Sequence, residues 1–342
     1  MNAHNFLSLQ RLFAVIALFT VTIGGHADGR IIGTKNYDIP NWFKDSFLDI
    51  NEDSAEAALA GRHLLVFFHL KDCPYCAKML EDSFADGAAN QIFSRSHFDI
   101  VDINIRGARE VTINGNTMTE KKYARYANVQ YTPTLLFMAA NGNTVLEING
   151  YRSPPALRQA LEYVHNGAYK TMSYNDYRVR DTSEPVYHLR DDPLFTKNDD
   201  LSVRHHPLMV LVEDNNCHGC NWLHDNILNL VDVREQMQQL TVARVDALSD
   251  APLITPSGKK TTARQFAADL NLHYRPGVVF FDEMGAEIFR ITGLLNHYHF
   301  REAVRYVTIG GRKAYPTYSA YLRERRRELL EAGENVDYSI PN

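Results

Sequence analysis

Five consecutive apolar residues, Leu64-Leu65-Val66-Phe67-Phe68, form a run of strand length, and a second such run stands at Leu208-Met209-Val210-Leu211-Val212. An amphipathic helical pattern follows each run, then another apolar strand (98–103 and 241–246), a polar loop and a further helix (119–128 and 262–271). Next comes TLLFMAANGNTVLEING, where Asn141-Gly142 is a strong hairpin signal; its counterpart GVVFFDEMGAEIFRITG turns at Met284-Gly285. A last helix (156–165 and 299–308) closes each unit. The order strand, helix, strand, helix, hairpin, helix predicts an α/β fold with a mixed central sheet flanked by helices.

The order occurs twice because the sequence repeats. Leu64 to Phe68 lies 144 residues before Leu208 to Val212, and Val101-Asp102 maps onto Val245-Asp246 with the same shift. Beyond a one-residue change between about 103 and 114 the shift is 143, pairing Gly115 with Gly258, Asn128 with Asn271, Tyr131 with Tyr274 and Gly150 with Gly293. Repeat units of solenoids run to roughly 20 to 50 residues, so a period this long is a duplicated domain. The predicted organisation is therefore a first domain over 28–167, a connecting segment over 168–205, a second domain over 206–311 and a C-terminal helical tail over 312–342. Little periodicity marks the segment rich in Asp, Arg, Tyr and Asn from Tyr169 to His206. Its length of nearly 40 residues predicts that part of it packs on a domain. The arginine run in YLRERRRELLEAG reads as a solvated helix face.

The N-terminus changes the picture of where the chain works. An apolar run, Leu12 to Ile23, follows Arg11 and precedes Gly24-Gly25-His26-Ala27, which reads as a secretory signal over 1–27, cut after Ala27. The run is short of the roughly 20 residues of a membrane span, and no second long apolar run exists, so the expected mature protein is periplasmic or secreted with no stable membrane span. With 45% hydrophobic and 23% charged residues the composition is that of a globular protein, and a net charge of −5 argues against general nucleic-acid binding.

All four cysteines fall in two C-x-x-C pairs, Cys73/Cys76 in KDCPYCAKML and Cys217/Cys220 in NNCHGCNWL, each just after the first apolar strand of its repeat. Several chemistries share that spacing. A four-thiolate zinc site needs the pairs to converge, yet Cys76 and Cys217 are 141 residues apart on separate units, whereas zinc ribbons use far shorter spacings. A purely structural disulfide across two residues closes a tiny loop and gains little entropy. Cu(I) suits thiolates, and His218 and His224 flank the second pair. Haem attachment needs C-x-x-C-H, and Ala77 and Asn221 occupy that place. Thiol–disulfide exchange uses a thiolate nucleophile, which a helix N-terminus stabilises, and Pro74 suits the first helical position.

Each copy resembles a thioredoxin fold, which places C-x-x-C at the start of the helix after its first core strand and a cis-proline opposite the cysteines. Pro133 and Pro276, in Tyr131-x-Pro133 and Tyr274-x-Pro276, match that proline at 60 and 59 residues beyond the first cysteine of each copy. The opening WFKDSFLDINEDSAEAALAGRHLLVFFHLKDCPYCAKMLE and the loop NIRGAREVTINGNTMTEKKYA resemble exported SoxW-type thioredoxins associated with sulfur oxidation. The resemblance covers roughly 42–165 well and 206–308 more loosely. It implies a thiol–disulfide oxidoreductase acting on protein cysteines, with Cys73 and Cys217 attacking and Cys76 and Cys220 resolving. It also implies cis bonds at Thr132–Pro133 and Arg275–Pro276, and substrate contact by those four residues. The partners expected are protein thiol or disulfide substrates and an unidentified redox partner, with no cofactor and no metal. A Cu(I) carrier, or a binding module without turnover, stands as the alternative. Reductive thioredoxins carry a buried acid six residues before the first cysteine; Phe67 and Leu211 stand there instead, so reductant character does not carry over. If its peptide bond is cis, Arg275 is expected beside Cys217 as a fixed cation favouring the thiolate.

Overall fold

The computed structural model describes residues 28–180 and 185–340; the signal read over 1–27 lies outside them. The first repeat runs α1 (Ile50–Leu59), β2 (His63–His69), α2 (Pro74–Met79), α3 (Gln91–His97), β3 (Phe98–Asn104), the small hairpin β4 (Glu110–Ile113) and β5 (Asn116–Thr119), α4 (Glu120–Tyr126), β6 (Thr134–Met138), β7 (Thr144–Asn149) and α5 (Pro154–His165). A two-residue strand, β1 (Ile31–Ile32), precedes it. Helix α6 (Tyr174–Arg180) leads to the second repeat: β8 (Leu208–Glu213), α7 (Cys220–Leu223), α8 (Val231–Met237), β9 (Thr241–Asp246), β10 (Pro252–Ile254), β11 (Lys260–Thr262), α9 (Ala263–Asp269), β12 (Gly277–Phe281), β13 (Glu287–Ile291) and α10 (His297–Thr308). The tail holds α11 (Gly311–Ala314), α12 (Tyr318–Glu331) and β14 (Val336–Asp337), which pairs in parallel with β1.

Two four-stranded mixed sheets share one order, β3-β2-β6-β7 and β9-β8-β12-β13, with one parallel and two antiparallel pairings in each. This is the predicted fold: two tandem thioredoxin-like units. Their central strands read as unbroken apolar runs because both faces are covered. In β2, Leu65 and Phe67 join Cys76, Met79 and Phe137 on one side, while Leu64, Val66 and Phe68 pack with Tyr123 on the other. Helices α4 and α9 start at equivalent caps, where Thr119 and Thr262 side chains accept from Lys122 N–H and Gln265 N–H.

Register corrects one equivalence drawn from sequence. Val66 sits opposite Val101, but Val210 sits opposite Ala243 and not Val245. The second copy has thus lost two residues before this strand and regained one after it. The loop read as polar between 104 and 118 folds as the β4–β5 hairpin, since Asn114-Gly115 both adopt positive φ (50° and 72°), the requirement of a tight hairpin turn.

The connecting segment packs on both domains: Tyr174 enters the first core, and Phe195 bridges to β9 of the second sheet. Thr196 N–H donates to Val242 O as Lys44 N–H donates to Ile100 O in the first copy, and Phe195 enters the second core as Phe43 enters the first. The domains meet at equivalent positions of the repeat. A Cβ on Gly293 would stand 3.0 Å from Gly150 Cα and 2.8 Å from Asn149 O, so only glycine permits this approach. Tyr131 Oη donates to Arg290 O (2.9 Å), and buried Arg152 donates to Thr292 O (3.3 Å) while stacking on Tyr274. Among the described residues no helix is long and apolar enough to cross a membrane.

Candidate active site

Strand β2 ends at His69, and a turn with Asp72 in the left-handed region (φ 62°) brings Cys73 to the head of α2. Cys73 is the N-cap, with extended backbone (φ −82°, ψ 110°) and Pro74 at the first helical position. Cys73 and Cys76 form a disulfide with Cα atoms 5.3 Å apart. Cys76 N–H donates to Cys73 Sγ at 3.1 Å, and the Thr132 hydroxyl lies 3.5 Å from the same sulfur. Thr132 O is 3.7 Å from it, and the Thr132–Pro133 bond is cis. The structure therefore brings together Cys73, Cys76, Thr132 and Pro133, the four residues read as the first site.

Exposure separates the two sulfurs. Cys76 is fully enclosed, whereas Cys73 keeps 7% exposure and lines a cleft of about 420 Å³. The opposite wall comes from the second domain and the tail: Leu294, Leu295 and His299, then Tyr318 and Leu322 of α12. Tyr75, between the cysteines, is buried, which pushes its phenol pKa well above the ordinary value.

His299 bears on the pH behaviour of this wall. Its Nδ1 is 2.8 Å from Asn296 Oδ1 and its ring stacks on Tyr338 at 4.9 Å. Burial first, and the Arg326 charge second, lower its pKa to about 4. A folded value below the unfolded one gives stability that is complete above about pH 6.5 and is lost as pH falls toward 4. Acidification across that window is expected to cost on the order of 2 to 3 kcal/mol through this ring. Urea unfolding at several pH values, with His299→Gln alongside, measures it; parallel pH curves for the two proteins would exclude the effect.

The second pair is built differently. Cys217 and Cys220 also form a disulfide, Cα atoms 5.5 Å apart, and Arg275–Pro276 is also cis. Yet α7 starts only at Cys220, with Gly219 as cap, and Cys217 is 1% exposed. Tyr187, from the connecting segment, packs on both cysteines. Its hydroxyl donates to Glu213 Oε2 (3.1 Å) and meets His224 Nε2 (3.2 Å), which itself contacts Glu213 Oε1 at 2.8 Å. Burial and the Glu213 charge push the Tyr187 pKa up to about 12. His218 sits at the surface between the cysteines, its pKa lowered by desolvation first and by Arg178 next.

Arg275 lines one cavity with His218 and Gly219 of the second pair's loop, but its guanidinium serves another group. Asp214, 1% exposed, lies between Arg178 Nη2 (2.5 Å) and Arg275 Nε (3.1 Å). Burial, then Arg178, lowers the Arg275 pKa to about 10. The cation expected to favour the Cys217 thiolate is engaged by this carboxylate. Sequence reasoning missed Asp214, Arg178 and Tyr187. The one signal was Glu213-Asp214, two acids closing an otherwise apolar strand beside the cysteines.

Among the described residues no group of three or more His, Cys, Asp or Glu is arranged to hold a metal ion. Among curated proteins, none matches the chain. A thioredoxin-fold protein from Helicobacter pylori shares 22% identity over 40% of this chain and 86% of its own, with a TM-score of 0.34. A thioredoxin from Thermus thermophilus shares 24% over 34% and 84% (TM-score 0.27), and a DsbH oxidoreductase 14% over 50% and 96% (TM-score 0.25). Residues 50–165 and 197–308 each match the family described as thioredoxin-like domain. Covering most of the chain and both disulfide sites, that double match assigns the protein to the thioredoxin-like domain family.

Proposed function

We propose that the protein is an exported thiol–disulfide oxidoreductase acting on protein cysteines through Cys73 and Cys76. What supports this most is the convergence of the Cys76 N–H and the Thr132 hydroxyl on Cys73 Sγ, at a helix cap and on the wall of a cleft. Donors placed there favour a thiolate over a thiol. In the reduced protein the Cys73 thiolate attacks one sulfur of a substrate disulfide, forming a mixed disulfide and expelling the other substrate sulfur as a thiolate. Cys76 then loses its proton to water and attacks Cys73 Sγ. The intramolecular disulfide closes and the second substrate thiolate leaves. Two electrons pass from protein to substrate; the reverse sequence oxidises a substrate dithiol, and a redox partner resets the pair. Thr132 and Pro133 form the wall along which the substrate backbone lies.

Cys217 and Cys220 take the same roles in the second domain, beside Arg275 and Pro276, but only when Tyr187 uncovers them. Export to the periplasm or the medium rests on the apolar run Leu12 to Ile23 and on the persistence of disulfides outside the cytoplasm. A copper-carrier role is disfavoured because His224 is committed to Glu213 and Tyr187. The test compares Cys217→Ser/Cys220→Ser with Cys73→Ser/Cys76→Ser in exchange with a small disulfide, with metal content measured alongside. The first variant is expected to keep most of the exchange and the second to fall to background. No exchange by the intact protein, or stoichiometric copper in chelator-free preparations, would refute the reading.

A further inference from the structure

Four cations line the Cys73 cleft: Lys71 before the cysteine, Arg106 after β3, and Arg323 and Arg326 on α12. Asp72 is the single carboxylate among the lining residues. None of the four cations forms an ion pair among the described residues; Arg326 Nη1 reaches only the Tyr338 hydroxyl, at 3.5 Å. The rest of the same helix behaves otherwise. Arg325 pairs with Glu302 and Glu328, and Arg327 with Glu324 and Glu331. Ser319, Leu322, Arg323 and Arg326 stand at i, i+3, i+4 and i+7, one face of α12, and that face is turned to the cleft. The tail's arginine run is thus divided: Arg325 and Arg327 are paired with carboxylates, whereas Arg323 and Arg326, which line the cleft, are not.

Unpaired cations over an apolar floor of Leu294, Leu295 and Leu322, in a chain of net charge −5, are a local reversal of sign. We infer that this cleft binds an acidic polypeptide segment, with carboxylates on both sides of the target cysteine and apolar residues between. The inference deepens the redox reading above and names its substrate class. The cations sit on three elements around Cys73, so carboxylates on either flank of a target cysteine each find a partner. Clefts lined by one sign of charge raise the local concentration of a counter-charged ligand, with rate gains of roughly tenfold or more at low salt.

The test uses oxidised full-length protein and two short fluorescent peptides. Each has a central Ser in place of the target cysteine and equal apolar content, with Glu flanks in one and Lys flanks in the other. Fluorescence anisotropy is expected to give about tenfold tighter binding of the Glu peptide at low salt. At about 0.5 M salt the preference should shrink below about twofold, since screening there acts within a few ångströms. Arg323→Gln/Arg326→Gln should shrink it likewise, whereas the charge-matched Lys313→Gln/Arg327→Gln, away from the cleft, should not. Equal affinities, or equal loss in both double variants, would overturn the inference. Displacement of the Glu peptide by oxidised glutathione at similar concentration would assign the cations to a small anionic disulfide and overturn it too. Exchange rates with cystine-linked versions of the peptides keep the two readings apart. A binding preference without exchange removes the redox reading alone, and exchange without preference removes the acidic-segment reading alone.

Discussion

In protein lacking the second pair, Cys76→Ser is expected to accumulate mixed disulfides with its substrates, while Cys73→Ser forms none. The two sulfurs differ in both respects that matter. Cys73 lines the cleft and receives the Cys76 N–H at 3.1 Å, whereas Cys76 has no exposed surface. A helix N-terminus favours a thiolate over a thiol, so Cys73 is expected to be the more reactive sulfur of the reduced pair. With Ser at 76 the first attack proceeds and nothing resolves it. A non-reducing gel reads the adducts, and the pH profile of alkylation should place the Cys73 midpoint below 8.5. Adducts formed equally by both single-cysteine proteins, or an alkylation midpoint at the ordinary thiol value, would sink the assignment. The trapped complexes also supply the substrate segments whose acidity the cleft inference requires.

Asp214→Ala is expected to cost the second domain about 3–5 kcal/mol, the usual penalty for removing one partner of a buried ion pair. Arg275 has 4% side-chain exposure, and without Asp214 no carboxylate among the described residues answers its charge. An exposed pair supplies the control: Glu287→Ala, which removes the partner of Arg290 at 35% exposure, should cost at most about 1 kcal/mol. The chain has two tryptophans, Trp42 in the first domain and Trp222 in the second. In a Trp42→Phe background, Trp222 fluorescence therefore reports second-domain unfolding in urea. A midpoint shift no larger than that of Glu287→Ala would show that the buried carboxylate is not what holds these arginines. Because Asp214 Oδ1 also accepts the Asn216 N–H at 3.0 Å, next to Cys217, the same substitution should loosen this loop and speed alkylation of the reduced second pair.

The elements that local pattern could reveal were legible. Apolar runs at 64–68 and 208–212 became central strands, Asn141-Gly142 turned its hairpin, and Pro74 opened α2 behind Cys73. Period-two and period-3.6 signals and turn chemistry act between neighbours in sequence, so a single chain displays them. Contacts closed over long separations were not legible. Tyr187 reaches Cys217 from a segment whose polar composition resembles a linker, because one buried side chain leaves no periodicity. Likewise Arg323 and Arg326 differ from Arg325 and Arg327 only in which way the helix faces, and the domain packing decides that. Arg275 was read as a fixed cation favouring the Cys217 thiolate, but the partner that holds it, Asp214, depends on a strand end 61 residues earlier.

The contact of Gly150 with Gly293 joins a residue to its own copy. A surface that touches its repeat-equivalent is self-complementary, as the interface of a two-fold homodimer must be. A single unit carrying that patch would pair with another only at sufficient concentration. Two units in one chain face each other at a fixed effective concentration, whatever the abundance of the protein. Once pairing is guaranteed by the covalent link, the halves are free to diverge. One sulfur pair can stay open to partners under a roof lent by its sister, while the sister's own pair is covered by Tyr187 of the segment that joins them.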